Sequence, residues 1–546
     1  MAQSIGGKTM SYIGDPKQSR TSDTWSKYCG FLDLSLDDFM FIQKRLLMEQ
    51  IGIFAACELG REILGGKVPR SVEEFRETVP LTTYDDYEPY LSERRVDVLP
   101  EVPYVWAHTS GRSGGYKWAP YTRTAYDKLG ERILAAIILS AARERGDVRI
   151  KEGDVLVHNT PARPYASGVA LISLAEIFPF HFVPALEETE SMTFQERIAS
   201  SFDIALGTGI DIIGSVTSVL VKIGERFAEQ AGSLERSRNL RNPGALLRLA
   251  RALLRSKLAG RPLLPQDLWP VKGVMCGGTD TSLYRDRIAY YWGAVPHEQY
   301  SATETAGTAA VQAWDNRGLF FFPDAVFWEF VPEEEWKNWR DDPTYQPRTV
   351  LLDEVKPGQR YEVIITSFDG GPFVRYRMHD LVRFLSLRDE KAGIDLPSMV
   401  CAGRTNGLID LAGFTGIMDE PLVWEAVHKT GIAYEDWVIR KEVGGNGAVL
   451  RLYIELKEDA SAETVRQRVH ENLKELNPFY ADLEEMLDVQ PLEVVLLAGG
   501  TFRAYFINQQ AAGADLAHLK PPHMSPSDEI IDSLLQTSKR SADRGK

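Results

Sequence analysis

The chain has 546 residues, more than one ordinary hydrophobic core accommodates, so at least two domains are expected. Its formal net charge of −15 argues against a nucleic-acid partner, because phosphate backbones are bound by basic surfaces. No apolar stretch reaches the roughly 18 residues of a membrane span and the first residues lack a signal peptide's apolar run, so a cytoplasmic protein with no membrane partner is expected.

The first 300 residues alternate between helical and strand patterns. Large apolar residues recur at helical spacing over residues 36–66, and a second helix is predicted over 124–145. Short apolar strands are predicted at 155–159 and 181–184, with a helix at 172–177 between them. This alternation predicts an α/β fold in which helices pack on mixed sheets.

After residue 318 strand patterns dominate until a turn-rich stretch begins at Gly403. Residues 449–456 then alternate as a strand with one solvated face. We therefore predict a large N-terminal α/β domain, residues 1–402, and a small mobile C-terminal α+β domain, residues 403–546. The last ~20 residues are polar, and we expect them to be frayed.

The cysteines and one basic segment carry weaker signals. Basic residues alternate with leucines over residues 236–261, which predicts an amphipathic helix whose cationic face is more simply solvated than bound to a membrane or partner. The four cysteines lack metal-ligand spacing, so we predict no structural zinc and four buried free thiols. They are Cys29, Cys57, Cys276 and Cys401.

Residues 109–117 form a glycine-rich segment that follows a predicted strand at 102–107. The segment combines hydroxyl side chains, three glycines and Lys117. Glycine lets backbone N–H groups approach an anion, hydroxyls donate hydrogen bonds, and a lysine adds a mobile charge. These residue types predict a phosphate-binding loop.

Three other interpretations of this loop compete with that one. The spacing does not fit a Walker A loop. Residues 111–115 match the serine-hydrolase pattern G-x-S-x-G, but that elbow needs a helix directly after the serine, and Pro120 argues against one. A glycine-rich hairpin without a ligand stays open as an alternative.

Three further segments carry chemistry, each a weak signal by itself. Residues 300–304 end with Thr303, a hydroxyl donor, and Glu304, a hard oxygen ligand suited to Mg²⁺. Residues 376–380 end with Asp380, whose carboxylate can accept both hydroxyls of a ribose. Arg404 then follows Gly403 at the predicted domain boundary.

In this order the four segments resemble the hallmarks of the adenylate-forming ligases, and further segments are similar to the GH3 acyl-acid amido synthetase family. The resemblance extends over about residues 35–523. The supporting segments are 79–90, 320–332, 500–502 and 513–523. Two positions depart from the family pattern: Arg112 replaces a hydroxyl residue of the loop, and His523 replaces an arginine near the end.

The resemblance implies ATP and Mg²⁺ as cofactors, with Glu304 as the metal ligand and Lys520 as the catalytic lysine. A general base for the amine is also needed, and His108 and His379 are the candidates, although a structural role is the simpler interpretation of each. The nucleotide-binding residues implied are Ser110, Gly111, Ser113, Lys117, Gly278, Thr279, Tyr300, Thr303, Asp380 and Arg404.

The function implied is ATP-dependent activation of a small carboxylic acid as an acyl-adenylate, followed by transfer of the acyl group to the amine of an amino acid. One alternative keeps the first step but transfers the acyl group to coenzyme A or a carrier-protein thiol. A second alternative is an inactive relative that only binds nucleotide.

Overall fold

In the computed structural model of the chain, the described residues are 16–110, 116–192, 194–229, 243–277, 281–335, 345–405, 409–411, 417–444, 447–477, 480–481, 491–511 and 521–544.

The strands are β1 (Val105–Ser110), β2 (Tyr116–Tyr121), β3 (Val155–His158), β4 (His181–Val183), β5 (Ile212–Val216), β6 (Gly273–Gly277), β7 (Pro296–Ala302), β8 (Gly307–Gln312), β9 (Leu319–Phe321), β10 (Val326–Pro332), β11 (Arg360–Ser367), β12 (Tyr376–Ser386), β13 (Ser398–Arg404), β14 (Ile409–Asp410), β15 (Ile417–Met418), β16 (Tyr434–Gly444), β17 (Gly447–Leu456) and β18 (Leu492–Leu497).

The α-helices are α1 (Pro16–Cys29), α2 (Leu36–Ala56), α3 (Glu58–Ile63), α4 (Val72–Thr78), α5 (Glu88–Leu91), α6 (Arg123–Ala141), α7 (Ala166–Ile177), α8 (Leu186–Thr189), α9 (Phe194–Thr208), α10 (Thr217–Glu229), α11 (Pro243–Ala259), α12 (Pro265–Leu268), α13 (Thr281–Trp292), α14 (Glu420–His428), α15 (Ala462–Leu476), α16 (Thr501–Ala511) and α17 (Asp528–Arg544). Short 3₁₀ helices cover Gly30–Asp33 and Tyr84–Asp86.

The first predicted helix is interrupted. Helix α2 begins after Ser35, whose hydroxyl accepts a hydrogen bond from the Asp38 N–H, and it ends at Cys57, which is extended. The Cys57 sulfur accepts from the Gly60 N–H and so caps α3. A Cβ on Gly60 would lie 2.2 Å from the Phe54 carbonyl oxygen, so the tight bend between the two helices requires glycine.

The α/β prediction is confirmed by an eleven-stranded sheet in the order β10-β11-β12-β13-β9-β8-β7-β6-β5-β3-β4. Strands β3 to β7 pair in parallel, whereas β7 pairs antiparallel with β8, and the remaining strands continue antiparallel. Strands β3 and β6 are buried along their whole length, as expected where helices cover both faces of a parallel sheet. Strand β7 therefore joins the parallel half of the sheet to the antiparallel half.

A separate three-stranded sheet, β16-β17-β18, organises the C-terminal part. Helices α14 and α15 pack on the face that carries Trp437, and α16 and α17 pack on the face that carries Val438. The expectation of a frayed end is wrong, because Ile531 and Leu534 of α17 are buried in this second layer. Apolar residues one turn apart in an otherwise polar segment make an amphipathic helix.

The transition between the two cores falls just after β13. Strand β13 pairs with β12 as far as Arg404, while Ile409 and Leu411 pack in the C-terminal core. Val219 of α10 packs in the same core, so the two parts touch. The boundary at residue 402 stays a prediction.

Two smaller expectations can be compared with the structure. Three cysteines are buried as expected, but Cys401 is exposed on β13, so the expectation of four buried thiols is wrong. Exposed and less exposed positions alternate along the second half of β13, and Cys401 is one of the exposed positions. Within the part of the chain that the structure describes, no helix is long and apolar enough to cross a membrane.

Candidate active site

The glycine-rich segment joins two antiparallel strands. Strands β1 and β2 pair from Val105 with Tyr121 to Ser110 with Tyr116. A strand rather than a helix therefore follows the serine of the G-x-S-x-G pattern, which excludes the hydrolase elbow. Gly111 and Ser113 lie outside the described residues, and the side chain of Ser110 is likewise not described.

Lys117 extends from β2 toward Tyr84. Its Nζ lies 4.9 Å from the centroid of the Tyr84 ring, a distance at which a cation is attracted to the ring face. The Tyr84 hydroxyl accepts a hydrogen bond of 2.9 Å from the Trp118 N–H. Burial raises the pKa of Tyr84 to about 12, and the nearby Glu304 carboxylate adds to that rise. Tyr84 therefore contacts two residues of the hairpin and lies within electrostatic range of Glu304.

Glu304 lies on the turn between β7 and β8. The Tyr121 hydroxyl of β2 donates a 2.8 Å hydrogen bond to the carbonyl of Thr303, which ties the turn to the hairpin. The Tyr376 hydroxyl donates to Glu304 Oε1 at 3.3 Å. Burial, and then the Glu304 charge, raise the pKa of Tyr376, so this phenol stays a donor at neutral pH.

Asp380 is the centre of a second cluster. The Tyr300 hydroxyl donates to Asp380 Oδ2 at 2.8 Å, and Arg404 Nε lies 3.4 Å from Asp380 Oδ1. Strand pairing accounts for this meeting, because Asp380 on β12 is directly opposite Arg404 on β13. Burial, and then Asp380, raise the pKa of Tyr300 well above its usual value. The structure thus brings three predicted residues together.

The base candidates have different surroundings. The ring of His108 lies against Trp118 and Tyr165, at centroid distances of 4.9 and 4.5 Å. Burial lowers its pKa, so the ring is neutral at neutral pH. His379 has a positive φ of 59° and its Nδ1 lies 3.4 Å from the buried Glu362. Their roles as bases stay predictions.

The sequence motifs assign no role to two residues of this region. Tyr84 lies in segment 79–90, which supports the family resemblance but gives this residue no role, and Glu362 lies among apolar residues of β11. Glu362 is fully buried and receives two 2.8 Å hydrogen bonds from Arg377. A charged residue in an otherwise apolar strand is the available signal for Glu362, since such residues are buried only when paired.

Besides Gly111 and Ser113, three further predicted site residues, Gly278, Thr279 and Lys520, lie outside the described residues. Within the described part of the chain, no group of three or more His, Cys, Asp or Glu side chains could hold a metal ion. A single carboxylate such as Glu304 is nevertheless compatible with Mg²⁺, which proteins often bind through one or two carboxylates together with substrate phosphates.

His523 is held in the C-terminal domain by two carboxylates. Its Nδ1 lies 2.5 Å from Glu420 and its Nε2 lies 2.8 Å from Asp436, while the ring stacks on Trp437 at 4.5 Å. The His523 carbonyl also accepts a 2.7 Å hydrogen bond from Ile439. The hydrogen bonds to Asp436 and then Glu420 raise the pKa of His523, so both ring nitrogens donate.

This arrangement predicts a pH-dependent contribution to stability. Because the folded-state pKa is raised, the stabilisation is fully present below the unfolded value of ~6.5 and is lost as the pH rises through the folded-state value. We expect the difference in unfolding free energy between wild type and His523→Gln to shrink between pH 6 and pH 9. Urea unfolding at a series of pH values measures it, and a difference that stays constant contradicts the prediction.

Three segments of the sequence match one family in its domain order. They are the GH3 family N-terminal domain at residues 30–166, the GH3 family central domain at 319–392 and the GH3 family C-terminal domain at 423–529. Together they cover more than half of the chain.

A curated relative is jasmonoyl–L-amino acid synthetase GH3.5 of Oryza sativa subsp. japonica, 24% identical over 287 residues. The match covers 49% of this chain and 48% of that protein, so it spans about half the length of the relative.

Two solved structures share the fold. The AtGH3.15 acyl acid amido synthetase in complex with 2,4-DB has a TM-score of 0.52 at 16% identity, covering 96% of this chain and 97% of that one. A 2-hydroxyisobutyryl-CoA ligase in complex with 2-HIB-AMP and CoA has a TM-score of 0.58 at 16% identity, covering 93% and 98%. At these identities the likeness concerns the fold alone.

Proposed function

Since the chain belongs to the GH3 family, we propose that it is an ATP-dependent acyl acid amido synthetase. It activates a small carboxylic acid as an acyl-adenylate and transfers the acyl group to the amine of an amino acid. We propose the cytoplasm as its location and residues 403–546 as its mobile domain. The domain order of the family matches supports the activity, and the mainly buried thiols are compatible with a reducing compartment.

The observation that carries the proposal is the meeting of segments far apart in the chain. The hairpin that bears Lys117 is tied to the Glu304 turn through Tyr121, and the Tyr84 ring lies against Lys117 and close enough to Glu304 for its charge to raise the pKa of Tyr84. Asp380 lies on β12 with its carboxylate fixed by a tyrosine and an arginine. A phosphate loop, a metal ligand and a ribose acceptor are the parts an ATP site needs.

In the first half of the reaction, the carboxylate of the acid attacks the α-phosphorus of ATP, and pyrophosphate leaves. Negative charge accumulates on the phosphates, so the protein contributes position and cations. Lys117 and Lys520 supply charge, Asp380 orients the ribose, and Glu304 would hold Mg²⁺, which neutralises phosphate oxygens when bound. In the second half, the amine attacks the acyl carbonyl and AMP leaves.

The acceptor can be tested directly. The likeness to a coenzyme A ligase makes a thiol acceptor the specific rival. AMP release is measured with a panel of carboxylic acids, each offered amino acids or coenzyme A. Amine-dependent AMP release supports the proposal, and thiol-dependent release supports the rival. The absence of AMP under every condition would favour an inactive relative.

Glu304→Gln is expected to raise the Mg²⁺ concentration needed for half-maximal pyrophosphate exchange, because an amide is a weaker ligand for a hard cation than a carboxylate. The exchange rate is measured across a Mg²⁺ titration at fixed ATP. Glu131→Gln is the control, since Glu131 lies on α6 and pairs with Lys27 at the surface. An unchanged titration in Glu304→Gln would remove this residue from the metal site.

A further inference from the structure

Arg132 is an arginine in the middle of the apolar helix α6. It is 4% exposed, and its neighbours along the helix are buried apolar side chains such as Ile133 and Leu134. Arginine is seldom buried to this extent unless its charge has partners, because removing a guanidinium from water is costly. Burial accordingly lowers the pKa of Arg132 from its ordinary value. The burial of Arg132 therefore needs an explanation in terms of the groups that its guanidinium contacts.

The guanidinium contacts the turn that carries Glu304. Arg132 Nη2 donates a 3.0 Å hydrogen bond to the carbonyl of Ala306, at the end of that turn. The Tyr121 hydroxyl holds the carbonyl of Thr303 at its beginning. Side chains from α6 and β2 thus fix the two ends of a four-residue segment.

The backbone of this turn needs such support. Ala306 has a φ of +50°, a left-handed conformation that is unfavourable for a residue with a Cβ. The next residue, Gly307, has a φ of +94°, and a Cβ there would lie 1.9 Å from Leu129 Cδ1. A strained conformation persists where surrounding contacts determine it. The bond from Arg132 is one of those contacts.

A small cavity of about 20 Å³ adjoins the same groups. Its lining includes Arg132, Glu304, Thr305, Ala306 and Asp369. This volume is sufficient for one water molecule, which needs roughly 10–15 Å³ by this measure. Arg132 Nε is buried and has no hydrogen-bond partner among the described residues. A water in the cavity would give it one.

Two basic residues of α6, Lys128 and Arg132, lie near the same pair of carboxylates but have different partners. Asp324 and Asp369 are the carboxylates whose charges favour the ionised Arg132 most. Both are already paired with Lys128, one turn earlier on α6, at 3.6 and 2.9 Å. Lys128 therefore forms the ion pairs with these two carboxylates, whereas Arg132 donates its hydrogen bond to the turn.

We propose that Arg132 is a positioning residue for Glu304. Its guanidinium, together with one water in the adjoining cavity, holds the turn of residues 303–306 and so sets the place of the Glu304 carboxylate. This inference rests on the proposed role of Glu304 in holding Mg²⁺ beside ATP.

The test compares Arg132→Met with Lys128→Met, which removes a charge from the same helix without touching the turn. Two quantities are followed across a Mg²⁺ titration at fixed ATP: the rise in melting temperature and the rate of pyrophosphate exchange. In Arg132→Met we expect half-saturation by Mg²⁺ to require about 10-fold more metal or more, the effect of losing a residue that orients a ligand. Lys128→Met is expected to stay within about 2-fold of wild type, while Arg132→Lys recovers part of the loss, because the conservative change keeps a donor.

Each outcome has a separate meaning. A wild-type protein whose melting temperature and exchange rate do not respond to Mg²⁺ and ATP overturns the proposed function itself. If wild type responds, an unchanged titration in Arg132→Met, or an equal shift in Lys128→Met, overturns the inference. Should Arg132→Met fail to fold, Arg132→Lys decides, because it keeps the positive charge but loses the planar guanidinium that donates to the Ala306 carbonyl. A wild-type titration in Arg132→Lys also overturns the inference.

Discussion

Lys520→Ala is expected to slow adenylate formation by about 100-fold or more, the scale of effect seen when one key electrostatic donor is removed. The physical reason is charge: when the carboxylate attacks, the α-phosphate bears more negative charge, and an ammonium group stabilises that state more than the ground state. Pyrophosphate exchange isolates this step, because it does not require the amine.

The described residues that follow Lys520 in the sequence are anchored in the C-terminal core. Lys520 is followed by two prolines and then by His523, which is anchored to Glu420 and Asp436. Lys457→Ala is the matched control, since Lys457 lies in the same domain and forms a surface pair with Glu435 at 2.9 Å. A wild-type exchange rate in Lys520→Ala would assign the cationic role to another residue.

Arg375→Met is expected to destabilise the protein by about 3–5 kcal/mol, the cost of breaking a buried ion pair by removing one partner. Arg375 binds both oxygens of Glu329 at 3.0 and 3.1 Å, and Glu329 is fully buried. A second arginine, Arg76, has its Nε 3.9 Å from the same carboxylate. Without Arg375 this carboxylate loses its two-point partner in the core of the large sheet.

Urea unfolding followed by tryptophan fluorescence measures this effect, and Trp328 lies next to Glu329 on β10. The control is Arg360→Met on β11, which removes a pair with Glu333 that is partly exposed. Its expected effect is below ~1 kcal/mol. A similar loss of unfolding free energy in both variants would contradict the prediction, because it would mean that burial of the Arg375 pair adds nothing to stability. The pair also matters for the site, since Arg375 directly precedes Tyr376, the donor to Glu304.

The sequence is informative where the chemistry is local. Residues 300–304 and 376–380 form contiguous motifs, so Glu304 and Asp380 can be recognised from their order and from the resemblance to a family. Tyr121 and Arg132 cannot, because their roles come from contacts with residues far away in the chain. Tyr121, for example, reaches a carbonyl 182 positions later. No periodicity or spacing encodes such a contact.

The fold prediction succeeds where structure follows from the local apolar pattern and fails where it depends on tertiary contacts. Alternating apolar patterns predict the helices and strands of the α/β core, because burial of one face imposes its period on the sequence. The break at Cys57 escapes prediction, since it depends on how closely two backbone segments approach at Gly60. Helix α17 escapes it because its apolar residues are few, although they fill a layer that other elements create.

The dual pairing of β7 has a practical meaning for work with shortened forms of the protein. A fragment that stops before β8 would leave one side of β7 with unbonded amide and carbonyl groups, and a fragment that starts after β7 would do the same to β8. Exposed strand borders of this kind recruit other chains and promote aggregation. Shortened forms of the protein should therefore retain all residues from β3 to β13. Their ends should lie where no pair of hydrogen-bonded strands is separated.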